Sequence, residues 1–521
     1  MNDLSGRIMF AKYKYILLAF LIVILMRVPA LIMWSPNITG SDSAIYMETA
    51  RNVAEGKGFV SSICRFNMDI DTITDYVNKY GNRYQGWSRA PIYTYLMSGI
   101  YLLTGKTHFM TGVNILNLLL LLASLFIIYR FMLRKFPEYG FAHFLALLCI
   151  GGSYTLFEYS FGAWLESFTL FNFVVVFVCH SHIVNNEKVP VWHYILYGLA
   201  LASLFSIKRA NMPMAAAFML HLLLCGRFKR IFAVSFYFAA FLALWYGLRF
   251  YVMSTPPLLS FSHSFPFDGY SREVSALPKL FFSPHICITV LQKIATIALD
   301  WRNLGLLFPF TIFYLAASPN NRDKQSIWLL LAVNLGIYAF SRGTPNPRYI
   351  FPLFVPLIIF STVLMEQSLL ALFKDRQLIP RYVVVMLVLF FQIYCVANFS
   401  QWIPVSAQIR NQIFSEADKM LEDNRIPTDA IILSNIVGYN LYTDHGYILV
   451  PPNTDLENKE ELLDLYKVDY VLHYFGLTRY FGWNEYTVKK DEFYDMVLTD
   501  VSDKDQDLRL YRVTRAAENN Q

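Results

Sequence analysis

The segment Thr39-Gly-Ser-Asp-Ser-Ala-Ile-Tyr-Met-Glu-Thr-Ala-Arg-Asn-Val-Ala-Glu-Gly-Lys-Gly-Phe59 directly follows the first hydrophobic span of the chain and starts a long polar loop. Its first acid, Asp42, stands where a membrane-spanning helix would meet water. A bilayer needs about 20 consecutive apolar residues for each crossing, so the change from apolar to polar sequence predicts a loop at one membrane surface. The other spans are expected to hold this loop in place.

The composition indicates a membrane protein. The chain has 521 residues, of which 55% are hydrophobic and 17% aromatic. Only 16% are charged, whereas soluble proteins carry about 25%. Most of the six cysteines lie in apolar runs and none forms a Cys-x-x-Cys pair, which favours structural burial over a metal or redox role. The predicted fold class is a polytopic α-helical membrane protein with an additional small α/β domain.

The charge is unevenly distributed along the chain. From residue 401 onward there are 12 Lys and Arg against 21 Asp and Glu, a net charge of −9, which leaves +15 for residues 1–400. An acidic tail on a basic membrane part gives little support to nucleic-acid binding. Cytoplasmic loops of membrane proteins are enriched in Lys and Arg, and this explains much of the positive excess.

The hydrophobic runs predict about eleven transmembrane helices, with the N-terminal one uncleaved. They cover about 15–33, 110–130, 140–157, 167–184, 193–207, 211–225, 231–252, 303–317, 327–341, 349–365 and 381–398. Every second loop is basic, which predicts a cytoplasmic N-terminus and a tail outside the cytoplasm. The predicted inner loops contain Arg130, Arg134 and Lys135; Lys188; Arg227, Lys229 and Arg230; Arg322 and Lys324; and Lys374, Arg376 and Arg381.

Two domains follow from this pattern. Residues 1–400 form the predicted transmembrane domain, with a long first outside loop whose segment Trp87–Gly105 is expected to lie in the membrane interface. Residues 401–521 form the predicted soluble extracytoplasmic α/β domain, since short apolar strands there alternate with a helical segment. No glycine-rich phosphate loop follows these strands, which argues against a nucleotide site.

Several cations fall at the predicted outer membrane edge, against the usual charge bias. They are Arg89, Lys208, Arg209, Arg302 and Arg348. Snorkelling or salt bridging explains any one of them, and snorkelling is the preferred explanation for Arg27, late in the first helix. Several cations together favour a second explanation, in which they bind a phosphate at the bilayer surface.

The candidate catalytic acids are Asp42 and Glu166. Glu166 starts a predicted span, where an ionisable group is costly and marks a functional site by default. The alternative for Asp42 is that it caps the following helix. Glu48 is a further acid of the first loop, and Glu158 is expected to be a boundary residue. His180 and His182 point to different faces of a helix, so no metal pair is expected there. No serine-hydrolase motif is present.

The order of these features resembles the GT-C glycosyltransferases, in particular the bacterial relatives of protein O-mannosyltransferases and of the lipid A aminoarabinose transferases. The resemblance covers about residues 1–400 in layout, and the tail is similar to the external domains of many members. The motifs are Gly-Ser-Asp42-Ser-Ala-Ile-Tyr46, Ala50-x-x-x-Ala54-x-Gly56-x-Gly58, Arg89-Ala-Pro91-Ile-Tyr93 with Gly105, Glu166-Ser, Lys208-Arg209 and Pro347-Arg348-Tyr349. Many members have a second acid where this chain has Ser43, and a proline where it has Ala90.

The resemblance implies a membrane transferase that moves a hexosyl or pentosyl group from a polyprenyl-phosphate carrier to a lipid, glycan or protein acceptor. It implies a location in the bacterial inner membrane, with transfer on the outer face. The expected roles are Asp42 and Glu166 in catalysis, and Arg89, Lys208, Arg209 and Arg348 in binding the donor phosphate. No cofactor is expected, and a divalent metal has no support in the sequence. The alternatives are a transporter or flippase of lipid-linked sugars, a surface-polysaccharide polymerase or ligase, and a non-catalytic scaffold.

Overall fold

The computed structural model describes most of the helical part of the chain and the strands of the tail. The described residues are 14, 16–28, 41–61, 84–85, 91–158, 165–207, 211–252, 292, 307–316, 321–340, 347–373, 378–434, 436, 439, 443, 445–449, 467–474, 498–500 and 508–513. For some of these, including Asp42 and Arg348, the backbone is described but the side chain is not.

Thirteen helices are named here within the described ranges. They are α1 (Ile16–Val28), α2 (Ser41–Ala54), α3 (Pro91–Lys135), α4 (Gly140–Gly151), α5 (Tyr154–Glu158), α6 (Glu166–Asn185), α7 (Val191–Ile207), α8 (Met212–Leu224), α9 (Phe228–Val252), α10 (Phe308–Ala316), α11 (Arg322–Phe340), α12 (Pro347–Phe373) and α13 (Leu378–Asp423). Each predicted span overlaps a described helix, and the predicted span 140–157 is divided between α4 and α5. Four helical segments, in α3, α6, α9 and α12, are long and apolar enough to cross a membrane.

Helix α3 is two helices joined at Gly105. This glycine has φ 68° and ψ 179°, a backbone conformation that is essentially restricted to glycine. The hydroxyl of Tyr93 reaches Asn117, 24 residues later, at 2.8 Å, so the segments before and after Gly105 fold back on each other. A Cβ on Gly112 would lie 2.5 Å from Cγ2 of Ile100, which shows how closely the two segments pack. The segment before Gly105 matches the predicted interfacial helix.

Helix α2 lies beside the first segment of α3 and runs in the same direction. Ser98 donates a hydrogen bond to the carbonyl of Ala50 at 2.8 Å. Further along both helices, the Tyr101 hydroxyl donates to Glu55 at 2.8 Å. The sequence number rises in step along both helices, so both begin at the same end of the pair. That end holds Asp42 in the first turn of α2 and Pro91 at the start of α3.

The opposite end of the bundle gathers the predicted inner loops. Arg322 donates to the carbonyl of Val184 at 2.7 Å, and Arg230 donates to the carbonyls of Ile183 and Glu187. Arginines therefore satisfy carbonyls at the C-terminus of α6, where helix dipole and unpaired acceptors both favour a cation.

Two ion pairs add to the same end. Lys135 pairs with the buried Asp323, and Arg381 pairs with the buried Glu366 at 2.8 Å. These contacts confirm that loops predicted to share one membrane face do meet.

A short strand pair, β1 (Val60–Ser61) and β2 (Tyr84–Gln85), lies in the first loop. The described strands of the tail are β3 (Ile431–Ser434), β4 (Gly446–Leu449), β5 (Tyr470–Tyr474), β6 (Leu498–Asp500) and β7 (Leu508–Val513). They form one five-stranded sheet in the order β4-β3-β5-β7-β6. β3 pairs in parallel with β4 and β5, whereas β7 runs antiparallel to its neighbours. The predicted α/β character of the tail is confirmed, while the predicted helix at 460–466 lies outside the described residues.

Helix α13 continues through the predicted domain boundary at residue 400. It runs without interruption from Leu378 to Asp423. Ile413 and Ala417, in its last third, belong to the same buried apolar cluster as Ala44 and Tyr93 of the first loop. The tail is therefore linked to the membrane domain by a continuous helix and by a shared core.

Candidate active site

The elements that carry the predicted site residues meet in one buried cluster. It contains Ala44, Ile45, Tyr46, Met47 and Ala50 of α2, residues of both segments of α3, Leu165 and Phe168 at the start of α6, and Ile207 at the end of α7. Leu165 directly precedes Glu166, and Ile207 directly precedes Lys208. Segments that are distant in sequence are therefore packed together next to the residues predicted to be functional.

Tyr93 lies at the centre of this arrangement. It is fully buried, and its hydroxyl donates a hydrogen bond to Oδ1 of Asn117 at 2.8 Å. Its ring stacks on Phe168, with 5.3 Å between the ring centroids. Tyr46 and Glu166 are both within electrostatic range of its hydroxyl. Tyr93 thus connects α2, both segments of α3 and the start of α6.

Glu166 is the first residue of α6 and is buried, with 5% of its surface exposed. The partial positive charge of a helix N-terminus stabilises an acid at this position. Burying a carboxyl group is nevertheless costly, and its position near Tyr93 makes it a candidate to bind a polar substrate group. The structure therefore brings this predicted catalytic residue to the shared cluster.

Asp42 lies in the first turn of α2, one helical turn before Tyr46. Tyr46 is buried in the cluster and is close to Tyr93. The backbone of Asp42 therefore stands one turn from the group of residues around Tyr93 and Glu166. Its side chain lies outside the described part, so both the catalytic role and the capping alternative stay predictions.

The predicted phosphate-binding cations are located less fully. Arg89, Lys208, Arg209 and Arg302 lie outside the described residues. Arg348 is in the first turn of α12, where only its backbone is described. The described residues nearest in sequence to Arg89 and Lys208 are Pro91 and Ile207, and both are buried.

Polar residues of α3 and α2 that were not among the predicted site residues also line this region. Asn114 and Asn117 are buried in the second segment of α3, and Glu48 and Asn52 are buried in α2. Two asparagines three residues apart share one face of a helix. Their presence in an otherwise apolar span was the signal that could have identified this polar face.

His180 and His182, which were predicted to point to different faces of a helix, contact different residues. Nε2 of His180 lies 2.8 Å from Nδ1 of His221, and the ring of His182 stacks on His193 at 4.2 Å. In the described ranges, no group of three or more His, Cys, Asp or Glu side chains is arranged to hold a metal ion. The His180–His221 pair is a buried polar contact that the sequence pattern did not identify.

Comparison with known proteins identifies the fold. No family model and no curated protein matches the sequence. Among solved structures, ArnT from Cupriavidus metallidurans bound to undecaprenyl phosphate matches with a TM-score of 0.59 and 11% identity, covering 97% of this chain and 99% of that chain. ArnT from the same organism in the apo state matches with a TM-score of 0.55 and 11% identity, covering 94% and 97%.

A second protein shares the fold. The Archaeoglobus fulgidus oligosaccharyltransferase, in complex with zinc and sulfate, matches with a TM-score of 0.56 and 12% identity, covering 89% of this chain and 68% of that chain. ArnT is a lipid A aminoarabinose transferase, and both proteins are GT-C superfamily members. At these identities the likeness concerns the fold alone, and the chain therefore shares the fold of ArnT and of the archaeal oligosaccharyltransferase.

Proposed function

We propose that this chain is a membrane glycosyltransferase that moves a sugar from a polyprenyl-phosphate carrier to an acceptor hydroxyl on the outer face of the membrane. The observation that carries the proposal is the convergence of α2, the start of α6 on either side of Glu166, and the end of α7 in one buried cluster. In a fold shared with two glycosyltransferases, this cluster lies at the end of α6 opposite its arginine-bound C-terminus.

The proposed reaction is a single displacement. The acceptor oxygen attacks the anomeric carbon of the sugar while the bond from that carbon to the phosphate oxygen breaks. Asp42 accepts the proton of the attacking hydroxyl, and the carrier phosphate leaves as an anion. General-base assistance of this kind contributes about 10²–10⁴-fold. One displacement inverts the configuration at the anomeric carbon.

The remaining residues have electrostatic and positioning roles in this proposal. The leaving phosphate gains negative charge, which Arg89, Lys208, Arg209 and Arg348 would stabilise. Glu166 would position the acceptor by accepting a hydrogen bond from one of its hydroxyl groups. The prenyl chain would lie among the helices in the lipid, so a largely transmembrane enzyme suits this donor. The tail, residues 401–521, would face the same side as the site.

The direct test is incubation of the purified full chain with defined polyprenyl-phosphate sugars and separation of the lipid products. Release of free polyprenyl phosphate together with a glycosylated acceptor is the expected result. A parallel reaction with polyprenyl-diphosphate sugars distinguishes a polysaccharide polymerase or ligase. Proteoliposomes that move a labelled lipid-linked sugar across the bilayer without breaking its glycosidic bond would instead indicate a flippase.

A further inference from the structure

Three arginine side chains meet at the C-terminal end of α6. Arg227 and Arg322 both donate to the carbonyl oxygen of Val184, at 3.4 and 2.7 Å, and Arg230 donates to two further carbonyls beside it. We refer to Arg227, Arg230 and Arg322 as the arginine cluster. Since one oxygen accepts from both Arg227 and Arg322, two guanidinium groups are held close together across a neutral acceptor, and their charges repel each other.

The turn between α8 and α9 places two of these arginines. Gly226 has φ 67°, in the left-handed region that favours glycine. The N–H groups of Gly226 and Arg227 donate to carbonyls in the last turn of α8, the paired bonds with which many helices end. The carbonyl of Arg227 then accepts the N–H of Arg230, so α9 begins at once. Arg227 and Arg230 are thereby brought back to the end of α6.

Acidic side chains do not compensate the arginine cluster. Asp323 follows Arg322 in the chain, but its carboxylate is engaged by Lys135 and by Nδ2 of Asn185, the latter at 3.0 Å. Glu187 contributes only its backbone carbonyl, to Arg230. Among the described residues, all the ion pairs found join other side chains. The cluster therefore keeps its positive charge.

The arginine cluster also retains unused hydrogen-bond donors. A guanidinium has five N–H groups. Arg227 donates through Nη2 in one long bond, and its Nε is buried without an acceptor in the ranges that the structure describes. Arg322 donates through Nη1, and its side chain is exposed. Backbone carbonyls satisfy some of these donors but do not neutralise the charge. An anion with several oxygens, such as a phosphate, would do both.

The surface beside the arginine cluster is apolar and exposed. Leu224 ends α8, three residues before Arg227, and Phe228 directly follows that arginine; both side chains are exposed. Phe232 continues the exposed row one turn along α9. The segment of α9 that starts at Phe228 is long and apolar enough to cross a membrane. The cluster therefore lies where a membrane-spanning helix begins. A ligand that combines an anionic group with apolar chains matches this boundary.

We propose that the arginine cluster binds the phosphate of an anionic membrane phospholipid, with the acyl chains along Leu224, Phe228 and Phe232. A bound phosphate would lower the repulsion between the guanidinium groups and hold them on the end of α6. This lipid is a different molecule from the donor carrier, whose phosphate is proposed to bind near Glu166 at the opposite end of α6. The two proposals are independent of each other.

The test is lipid binding to the purified full chain in detergent, measured by native mass spectrometry. The probes are phosphatidylglycerol, phosphatidylcholine and inorganic phosphate, and the wild type is expected to bind phosphatidylglycerol most tightly. Arg227→Gln and Arg322→Gln offer an amide donor to the Val184 carbonyl but remove the charge. Each should weaken phosphatidylglycerol binding about tenfold. Lys229→Gln is the matched control, because it removes the same charge from an exposed position between Arg227 and Arg230. It should bind nearly like the wild type.

Thermal unfolding in nanodiscs separates lipid binding from a structural role. The wild type should unfold at a higher temperature in phosphatidylcholine that contains phosphatidylglycerol than in phosphatidylcholine alone, and salt should reduce the difference. Arg227→Gln should lose this difference, whereas a purely structural role would lower both temperatures equally and overturn the proposal.

Three further outcomes would also overturn it. Equal losses of binding in Lys229→Gln and in the arginine variants would show a general attraction to surface charge. Inorganic phosphate that binds as tightly as the lipid would show a site for a free anion. A wild type that does not distinguish phosphatidylglycerol from phosphatidylcholine would contradict the proposal without any variant.

Discussion

Tyr93 donates a hydrogen bond to Asn117 across the turn at Gly105, and the two residues stand at equal sequence distances from that glycine. This contact joins the two segments of α3. It also fixes the Tyr93 ring against Phe168, two residues after Glu166. The first loop is thereby attached to the helix that carries a predicted catalytic acid.

Replacing the hydroxyl in this contact should destabilise the protein. Tyr93→Phe leaves the ring in place but removes the donor to the buried Asn117, at an expected cost of about 1–3 kcal/mol. Tyr101→Phe is the matched control, because its hydroxyl bonds to Glu55 at an exposed position. Unfolding temperatures of both variants are compared by differential scanning fluorimetry. An equal effect of the two substitutions would show that the Tyr93–Asn117 bond is not a special stabilising contact.

The turn in α3 should depend on glycine at position 105. Gly105→Ala places a side chain in a backbone conformation that costs about 1–3 kcal/mol. Gly99→Ala is an internal control, because a Cβ there also meets open space but the residue is in a regular part of the helix. That variant should be neutral or more stable by up to about 1 kcal/mol. Equal unfolding temperatures would contradict the strained geometry at Gly105.

Asp42→Asn should abolish sugar transfer without preventing donor binding. The amide cannot accept the acceptor's proton, so the rate should fall by about 10²–10⁴-fold. Glu55→Gln changes an acid at the other end of α2 and should retain wild-type turnover. The rate is measured with saturating donor and acceptor. Near-normal turnover of Asp42→Asn would remove this residue from the mechanism and return it to the helix-capping alternative.

Arg348→Ala should weaken apparent donor affinity more than it lowers the maximal rate. The expected cause is loss of one charge-assisted contact to the carrier phosphate, worth about tenfold in affinity. Arg512→Ala, at an exposed position of β7, provides the control. Titration of the donor at fixed acceptor gives both parameters. An unchanged donor affinity would exclude Arg348 from phosphate binding.

The orientation of the chain can be measured with single cysteines in a background without native ones. Lys57→Cys and Lys188→Cys are both at exposed positions, in the first loop and in the loop after α6. A membrane-impermeant maleimide added to intact cells should label position 57 and spare position 188. The reverse pattern would move the proposed site to the cytoplasmic face and contradict transfer on the outer face.

The sequence predicted the apolar helices well because an apolar run of this length has few other structural outcomes. Four of the five described strands of the tail were also predicted, since turn signals bound short apolar runs such as the one ending at Ser434, whereas the strand Leu498–Asp500 was not. The fold-back at Gly105 was not predicted, because the chain is apolar on both sides and periodicity does not reveal a change of direction. The burial of Arg27, which is 1% exposed where snorkelling was expected, depends on how α1 packs on the end of α4, and pairwise packing is absent from a linear pattern.

The candidate site was predicted less completely. An acid in a span is expensive, so Glu166 was recognisable from its position in the sequence alone. The tyrosines around it were not, because aromatic residues are frequent throughout membrane proteins. The partnership of Tyr93, Asn117 and Phe168 exists only once α3 has folded back and met the start of α6.

The arginine-bound end of α6 has a consequence for how the protein responds to its membrane. α6 has 20 residues, which corresponds to a rod about 30 Å long, close to the thickness of the hydrocarbon layer. One end of the rod is anchored by Arg230 and Arg322, and Glu166 is carried at the other. The depth of that carboxyl group in a bilayer is therefore expected to depend on the length of α6 relative to the thickness of the hydrocarbon layer. We therefore expect the activity of the proposed site to vary with bilayer thickness, because a mismatch between helix length and hydrocarbon thickness shifts where the ends of the helix lie.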